Sequence, residues 1–388
     1  MEVSGLISGG AFCQDMGDIY LGHCGTAPAT IYFSIKARSG GNKLTELEEV
    51  YYPQGGDEHI IISGLGELAE PYFEWYDEED LQQLFNPSQE CRSLRTSVFI
   101  TMTVVQDGVT IGTFYQQLFS ANSRTKVYPS TYNYFLSRFK TRTAYEDMPL
   151  IFGFIGRGQT LDCEVIYYDN SGDPQTQVLQ LNVADTVIAD DYSGDLSVNE
   201  YIPSDLANRC GVTVDKLVRI TFRLHLDNRI IDKLTYNFDH NYTMERTMFL
   251  YKNVFGVPEI IAMTGQNKRS SELDATYAWI SRKYRKVSTD LMTQHTICSG
   301  YIDKVTHEAI KDAIKSDKAY IIENMRIADM ATITDIDLDY ETPRTTPLAA
   351  YLTYRVADRV QETFVREAMD GGEEEEGIFD LTFDDTFE

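Results

Sequence analysis

Zinc hydrolysis, phosphate binding and calcium binding each leave a short residue pattern, and fragments of several occur in this 388-residue chain. His307-Glu308 opens like HExxH, but position 311 is Lys, so the second imidazole ligand is missing and the pair reads as the start of a helix. Gly153, Gly156 and Gly158 suggest a phosphate loop without its lysine and hydroxyl residue, which favours a turn between strands. Cys13, His23 and Cys24 offer three zinc-type donors with no fourth nearby, more simply a buried cysteine and an exposed histidine. Asp190, Asp191 and Asp195 are spaced like a calcium loop but lack the downstream bidentate glutamate, so a surface turn is expected. Asp335, Asp337 and Asp339 alternate along a strand and therefore share a face. A divalent cation or basic groups on a neighbour would relieve their repulsion, and a solvated face is the simpler expectation. With 60 acids, a glycosidase-type carboxylate pair is neither supported nor excluded, and no G-x-S-x-G occurs. The expectation is a protein without catalytic residues or cofactor, with that aspartate trio as its one weak metal candidate.

The end of the chain carries a different chemistry. Residues 371–388 read GGEEEEGIFDLTFDDTFE. A glycine pair and four glutamates cannot form a core, yet Phe379, Leu381, Phe383 and Phe387 stand mostly at alternate positions among the acids. Such a segment suits ordering against a partner as an added strand or docked ribbon. A solubilising acidic tail is the plainer alternative.

Formal net charge is −26, of which residues 1–365 carry about −17, so the body is acidic in its own right. That surface repels nucleic-acid phosphate and argues against DNA reading, though it suits a wall past which DNA slides. Tyrosine, with 25 copies against 2 tryptophans, fits half-buried strand faces and interfaces. The six cysteines include no CxxC pair, the opening MEVSGLISGGAF does not read as a secretory signal, and no apolar run reaches membrane-spanning length. Reduced thiols, synthesis in a cytoplasm and no membrane partner are expected.

Strand–turn–strand patterns dominate. Residues 30–37 alternate and return through 44–52, with a short strand at 59–63. Residues 65–76 carry a helical stripe broken by Pro71, and 97–105 and 109–119 flank the turn signal Gln106-Asp107-Gly108. A similar order follows. Residues 161–168 pair with 177–183, a short helix covers 203–210, and 217–226 and 230–238 flank Asp227-Asn228-Arg229. FITMTVVQDGVTIGTFYQQLF and RITFRLHLDNRIIDKLTYNF look like two versions of one hairpin about 120 residues apart, which suggests two related modules. Residues 129–138 read as a linking helix. Beyond 248, the run FLYKNVFGVPEII, strands within 276–287, an amphipathic helix at 305–316 and strands at 319–323, 331–338 and 348–357 make an α+β region. The fold class expected is mainly β: two tandem β-sandwich-like modules (1–127 and 128–247), a mixed α+β domain (248–365) and a disordered or partner-docked acidic tail (366–388).

YFSIKARSGGNKLTELEEVYYPQGGDEHIIISGLGELAEPYF, then FLYKNVFGVPEIIAMTG, then ATITDIDLDYETPRTTPLAAYLTYRVADR resembles virion structural proteins of tailed bacteriophages of gut Bacteroidetes, the crAss-like phages. The resemblance runs in order through most of the chain but is pattern-like, and it does not extend to the acidic tail. It implies a homo-oligomeric ring, tube or hub protein of the tail or neck, assembled in the host cytoplasm around the DNA exit channel. The implied partners are its own copies and other tail, neck or portal proteins, and the resemblance supplies no catalytic residue. Two alternatives stay open: a glycan- or host-surface-binding tail component or adhesin, and, further off, a tail-associated hydrolase.

Overall fold

The computed structural model describes residues 2–7, 10–37, 42–55, 58–76, 78–83, 85, 91–94, 97–121, 134–155, 159–181, 196–240, 246–280, 283–300, 302, 304–338 and 349–356. They form a mainly β protein of 23 strands and four short helices.

The first module holds β1 (Glu2–Ser4), β2 (Ala11–Phe12), β3 (Ile19–Gly22), β4 (Ala29–Lys36), β5 (Lys43–Tyr51), β6 (Ile60–Ile62), α1 (Leu65–Ala69), α2 (Glu78–Gln83), β7 (Cys91–Leu94), β8 (Ser97–Gln106) and β9 (Val109–Phe119). Strict alternation on β4 buries Ile31, Phe33 and Ile35. They meet Ile19 and Leu21 of β3 and Ile60 and Ile62 of β6 in one core. A five-stranded sheet, β2-β9-β8-β4-β5, thus faces a three-stranded one, β1-β3-β6.

The second module repeats this plan with β10 (Thr141–Ala144), β11 (Leu150–Ile155), β12 (Thr160–Tyr168), β13 (Pro174–Leu181), β14 (Leu196–Tyr201), α3 (Pro203–Arg209), β15 (Leu217–Leu226) and β16 (Arg229–Phe238). Its large sheet runs β10-β16-β15-β12-β13, and its small sheet β11-β14-β7. Element for element, β10 answers β2, β12–β13 answer β4–β5, and β15–β16 answer β8–β9. The correspondence extends to single residues. Both hairpins turn through two left-handed residues, Asp107 (φ 50°) with Gly108 (φ 77°) and Asp227 (φ 51°) with Asn228 (φ 62°). Both ladders shift register three residues before the turn, at Val104/Val105 and Leu224/His225. The parallel strand meets the same place too, with Ala11 opposite Leu118 and Ala144 opposite Phe238. The four residues of β7, just before β8 in the first-module sequence, do not stay with that module: β7 pairs with β14.

The third region contains β17 (Thr247–Lys252), β18 (Pro258–Met263), β19 (Asn267–Ile280), β20 (Lys283–Cys298), α4 (Lys304–Ile314), β21 (Ala319–Glu323), β22 (Arg326–Leu338) and β23 (Ala350–Val356). They form a sheet of order β18-β17-β21-β22-β23-β20-β19. Pro258 sits where proline is tolerated, at the first position of an edge strand. Ile310 and Ala313 of α4 are buried in this region's core. The largest cluster crosses all three regions, joining Phe12 and Phe119 to Phe152 and Phe222 and on to Leu250 and Tyr320.

Two expectations need correction. Tyr134 to Arg138 is not helical: Phe135 bridges Phe154, and Leu136 N–H donates to the Gly153 carbonyl at 2.7 Å, so the strand edge takes the hydrogen bonds a helix would need. Residues 129–133 lie outside the described residues. The strands placed within 276–287 are the distal part of a far longer hairpin, β19–β20, paired from Asn267–Ile297 to Ile280–Lys283.

Candidate functional site

FLYKNVFGVPEII is apolar except for Lys252, Asn253 and Glu259, and Glu259 becomes the second residue of β18. An acid in a buried edge strand needs a partner, and the second module supplies it from β10. Arg142 Nη2 donates to Glu259 Oε1 at 2.5 Å, with the two side chains 10% and 2% exposed. The carboxylate also accepts from Tyr251 Oη at 2.9 Å and from Asn253 Nδ2 at 2.7 Å. Arg142 donates further to Ser137 Oγ and, through Nε, to the Phe139 carbonyl at 3.3 Å. Its guanidinium lies 5.8 Å from the centre of the Tyr236 ring. Asn253 finishes the lattice. Its amide donates to the Leu136 carbonyl at 2.9 Å, and its Oδ1 accepts from Phe255 N–H (2.9 Å) and Val257 N–H (3.0 Å).

The electrostatics set the charge state of Arg142 and of the two tyrosines beside it. Burial alone would lower the Arg142 pKa, but Glu259 and the two tyrosines outweigh it and hold the guanidinium more firmly charged than usual. Burial, reinforced by Glu259, pushes Tyr251 well above the ordinary phenol value. Burial pushes Tyr236 up to about 12, against the pull of Arg142. Both phenols are therefore kept as donors, and the Glu259 carboxylate accepts from three neighbours. This carboxylate is a tie between modules.

Arg142 and Glu259 themselves line a cavity of about 200 Å³, walled further by Phe139, Thr141, Tyr145, Ser299 and Thr306. A second tie runs alongside it. Arg138 Nη1 donates to Asp312 Oδ1 of α4 at 2.7 Å. Asp312 is 2% exposed at its side chain, and burial raises its pKa even with Arg138 beside it. The first module is fastened to the third region separately. Trp75 Nε1 donates to the Gly256 carbonyl at 3.0 Å, the Trp75 ring stacks on Tyr320 at 6.3 Å, and Ile327 N–H donates to Gln82 Oε1 at 3.0 Å.

The residues with chemical potential in sequence are scattered by the fold. Asp335 and Asp337 are exposed on β22, opposite Thr353 and Tyr351. A bulge at Thr334 resets the alternation, so Ile333 and Ile336 both pack inward while the aspartates face out. Asp339 lies outside the described residues, as do Asp190, Asp191, Asp195, Gly156, Gly158 and the tail residues Phe379, Leu381, Phe383 and Phe387. His307 is buried on α4, whereas Glu308 pairs with Lys311 at 2.5 Å as an ordinary helix pair. Cys13 is buried in a 3-10 turn, and the Cys24 thiol donates to the Leu21 carbonyl at 3.3 Å. Among the described residues no group of three or more His, Cys, Asp or Glu is gathered as for a metal ion. Among the described helices none is long and apolar enough to cross a membrane.

No family model matches the chain, and no curated protein matches it. A solved structure described as "Crystal structure of CBD12 from CALX1.2" is similar over 56% of this chain and 76% of that one, at 7% identity and a TM-score of 0.18. A likeness that small bears on neither fold nor function.

Proposed function

We propose that this protein is a virion structural component, a ring subunit of a phage tail or neck assembled around the DNA exit channel. The sequence resemblance to crAss-like phage virion proteins supports this reading, and so does the acidic body, which would let DNA pass without holding its phosphates. The observation that carries it is the β19–β20 ribbon. From Ser271–Thr293 outward to Ile280–Lys283, ten residues of each strand pair with one another and with no third described strand. A bare two-stranded hairpin is marginal in water, so a ribbon of this length calls for a neighbouring surface. The buried ties favour scaffolding over turnover, because their charged groups are spent on holding modules together. Other tail, neck or portal proteins would complete the set of partners, with residues 366–388 as the segment that meets them.

Light scattering and negative-stain images of the pure full-length chain test the proposal. A closed ring with a pore wide enough for a DNA duplex is expected. A particle that stays monomeric at every concentration and binds a glycan would overturn it in favour of a surface-recognition role.

A further inference from the structure

The two modules share a strand plan, so positions where they differ chemically stand out. Phe33 lies opposite Leu47 in the first module, and Cys163 opposite Leu179 in the second, which aligns Glu46 with Val178 and Glu48 with Gln180. On the second module's outward face the acids are compensated. Asp162 accepts from Arg223 Nε at 2.6 Å and lies 3.0 Å from His225 Nε2, while Glu164 accepts from Arg223 Nη1 at 3.2 Å. On the first module the equivalent face is unbalanced. Along β5, Leu44, Glu46, Glu48 and Val50 share the outward face and are exposed. Glu46 meets Lys43, and Glu48 has no ion pair among the described residues. β5 is also the edge of its five-stranded sheet, with a row of unpaired backbone groups. An exposed nine-residue edge carrying leucine, valine and acids is a liability unless something covers it.

The β19–β20 ribbon has the opposite character at its far end. It extends about 37 Å beyond its last pairing with β23, from the eleven residue pairs Ser270–Gln294 to Ile280–Lys283 at about 3.4 Å each. The sequence from 277 to 288 contains no acid, and its last paired positions bring together Tyr277 with Lys286, Ala278 with Arg285, and Trp279 with Tyr284. In a chain of net charge −26, this is a concentrated basic and aromatic tip.

We infer that the ribbon tip of one copy docks on the outward edge of β5 in the next copy. Cationic and aromatic residues meet carboxylates and exposed aliphatics, and charge complementarity selects this face over its neutral counterpart on the second module. The two surfaces differ, so the contact is head to tail, the kind that closes into a ring or runs on as a filament. The inference rests on the assembly reading and says which surfaces make it.

Four full-length proteins test it: wild type, R285E/K286E, E46K/E48K and the combination of all four changes. Sedimentation velocity reads assembly, and thermal melting checks that each variant is folded. Either charge reversal weakens self-association about ten-fold or more, salt weakens the wild type, and the combined variant regains assembly. Because the two reversals lie on separate regions, misfolding of one leaves the other to decide. An assembled wild type untouched by both reversals sinks the docking site while leaving the ring reading intact. A wild type that never assembles sinks both. Tip-dependent binding of duplex DNA, with assembly unchanged, assigns the basic residues to nucleic acid and overturns the inference.

Discussion

Glu259 and Arg142 show how a charge becomes tolerable inside a β protein. Glu259 is buried and Arg142 nearly so, and each hydrogen-bonds to named neighbours in its own region as well as to the other. Removing one partner leaves the other charge stranded in a low-dielectric site. Arg142→Met should therefore cost about 3–5 kcal/mol in a denaturant titration, and R142M/E259M should recover most of the loss. If the single and double variants unfold alike, the coupling is absent. His240 supplies a pH-dependent counterpart. Its ring N–H groups donate to the Leu217 carbonyl and to Glu146 Oε1, the latter at 3.0 Å. Burial opposes the charged ring, but these two acceptors win and raise the pKa above the usual value. The stability it contributes is present in full below the unfolded-state pKa of about 6.5 and fades as pH rises through the folded value. Melting curves should show His240→Gln clearly less stable than wild type at pH 5.5, with a narrower gap at pH 8.5. A gap that widens with pH would reverse the assignment.

Among the elements, the hairpins were the most legible from sequence. Gln106-Asp107-Gly108 and Asp227-Asn228-Arg229 announce tight turns because Gly, Asn and Asp enter left-handed backbone at low cost, and alternation on β4, β8 and β15 marks the inward faces. The FGVP turn was legible for the same reason. Gly256 has φ 81°, and a Cβ there would lie 3.1 Å from the Ser120 carbonyl oxygen. Gly256→Val should destabilise by about 1–3 kcal/mol or more, read as a lower melting temperature, and an unchanged melt would remove the turn's significance. What sequence hid were partners distant along the chain. β7, β10, β11 and β14 carry no local turn signal, and their pairing is set by tertiary neighbours. The Arg142–Glu259 tie joins residues 117 apart, and its one local trace was a lone acid and a lone asparagine inside an apolar run. The linking helix expected at 129–138 failed at its C-terminal half because strand-edge hydrogen bonding displaced it.

At the scale of the whole molecule, three regions share the largest hydrophobic cluster, and separate polar ties fasten the first and the second module to the third region. On the proposed reading, deleting residues 371–388 should leave melting unchanged and should weaken binding to tail, neck or portal proteins in pull-down or incorporation assays. Full incorporation of the truncated chain would assign the tail to solubility alone. The crossing of β7 into the second module's small sheet has its own consequence during synthesis. The ribosome releases residues 91–94 roughly a hundred positions before β14 exists to receive them, so the first module emerges with a loose thread. A nascent chain halted between the two modules would expose that thread to chaperones and to other polysomes, and an isolated second module cut at residue 128 would emerge with a raw seam along β14.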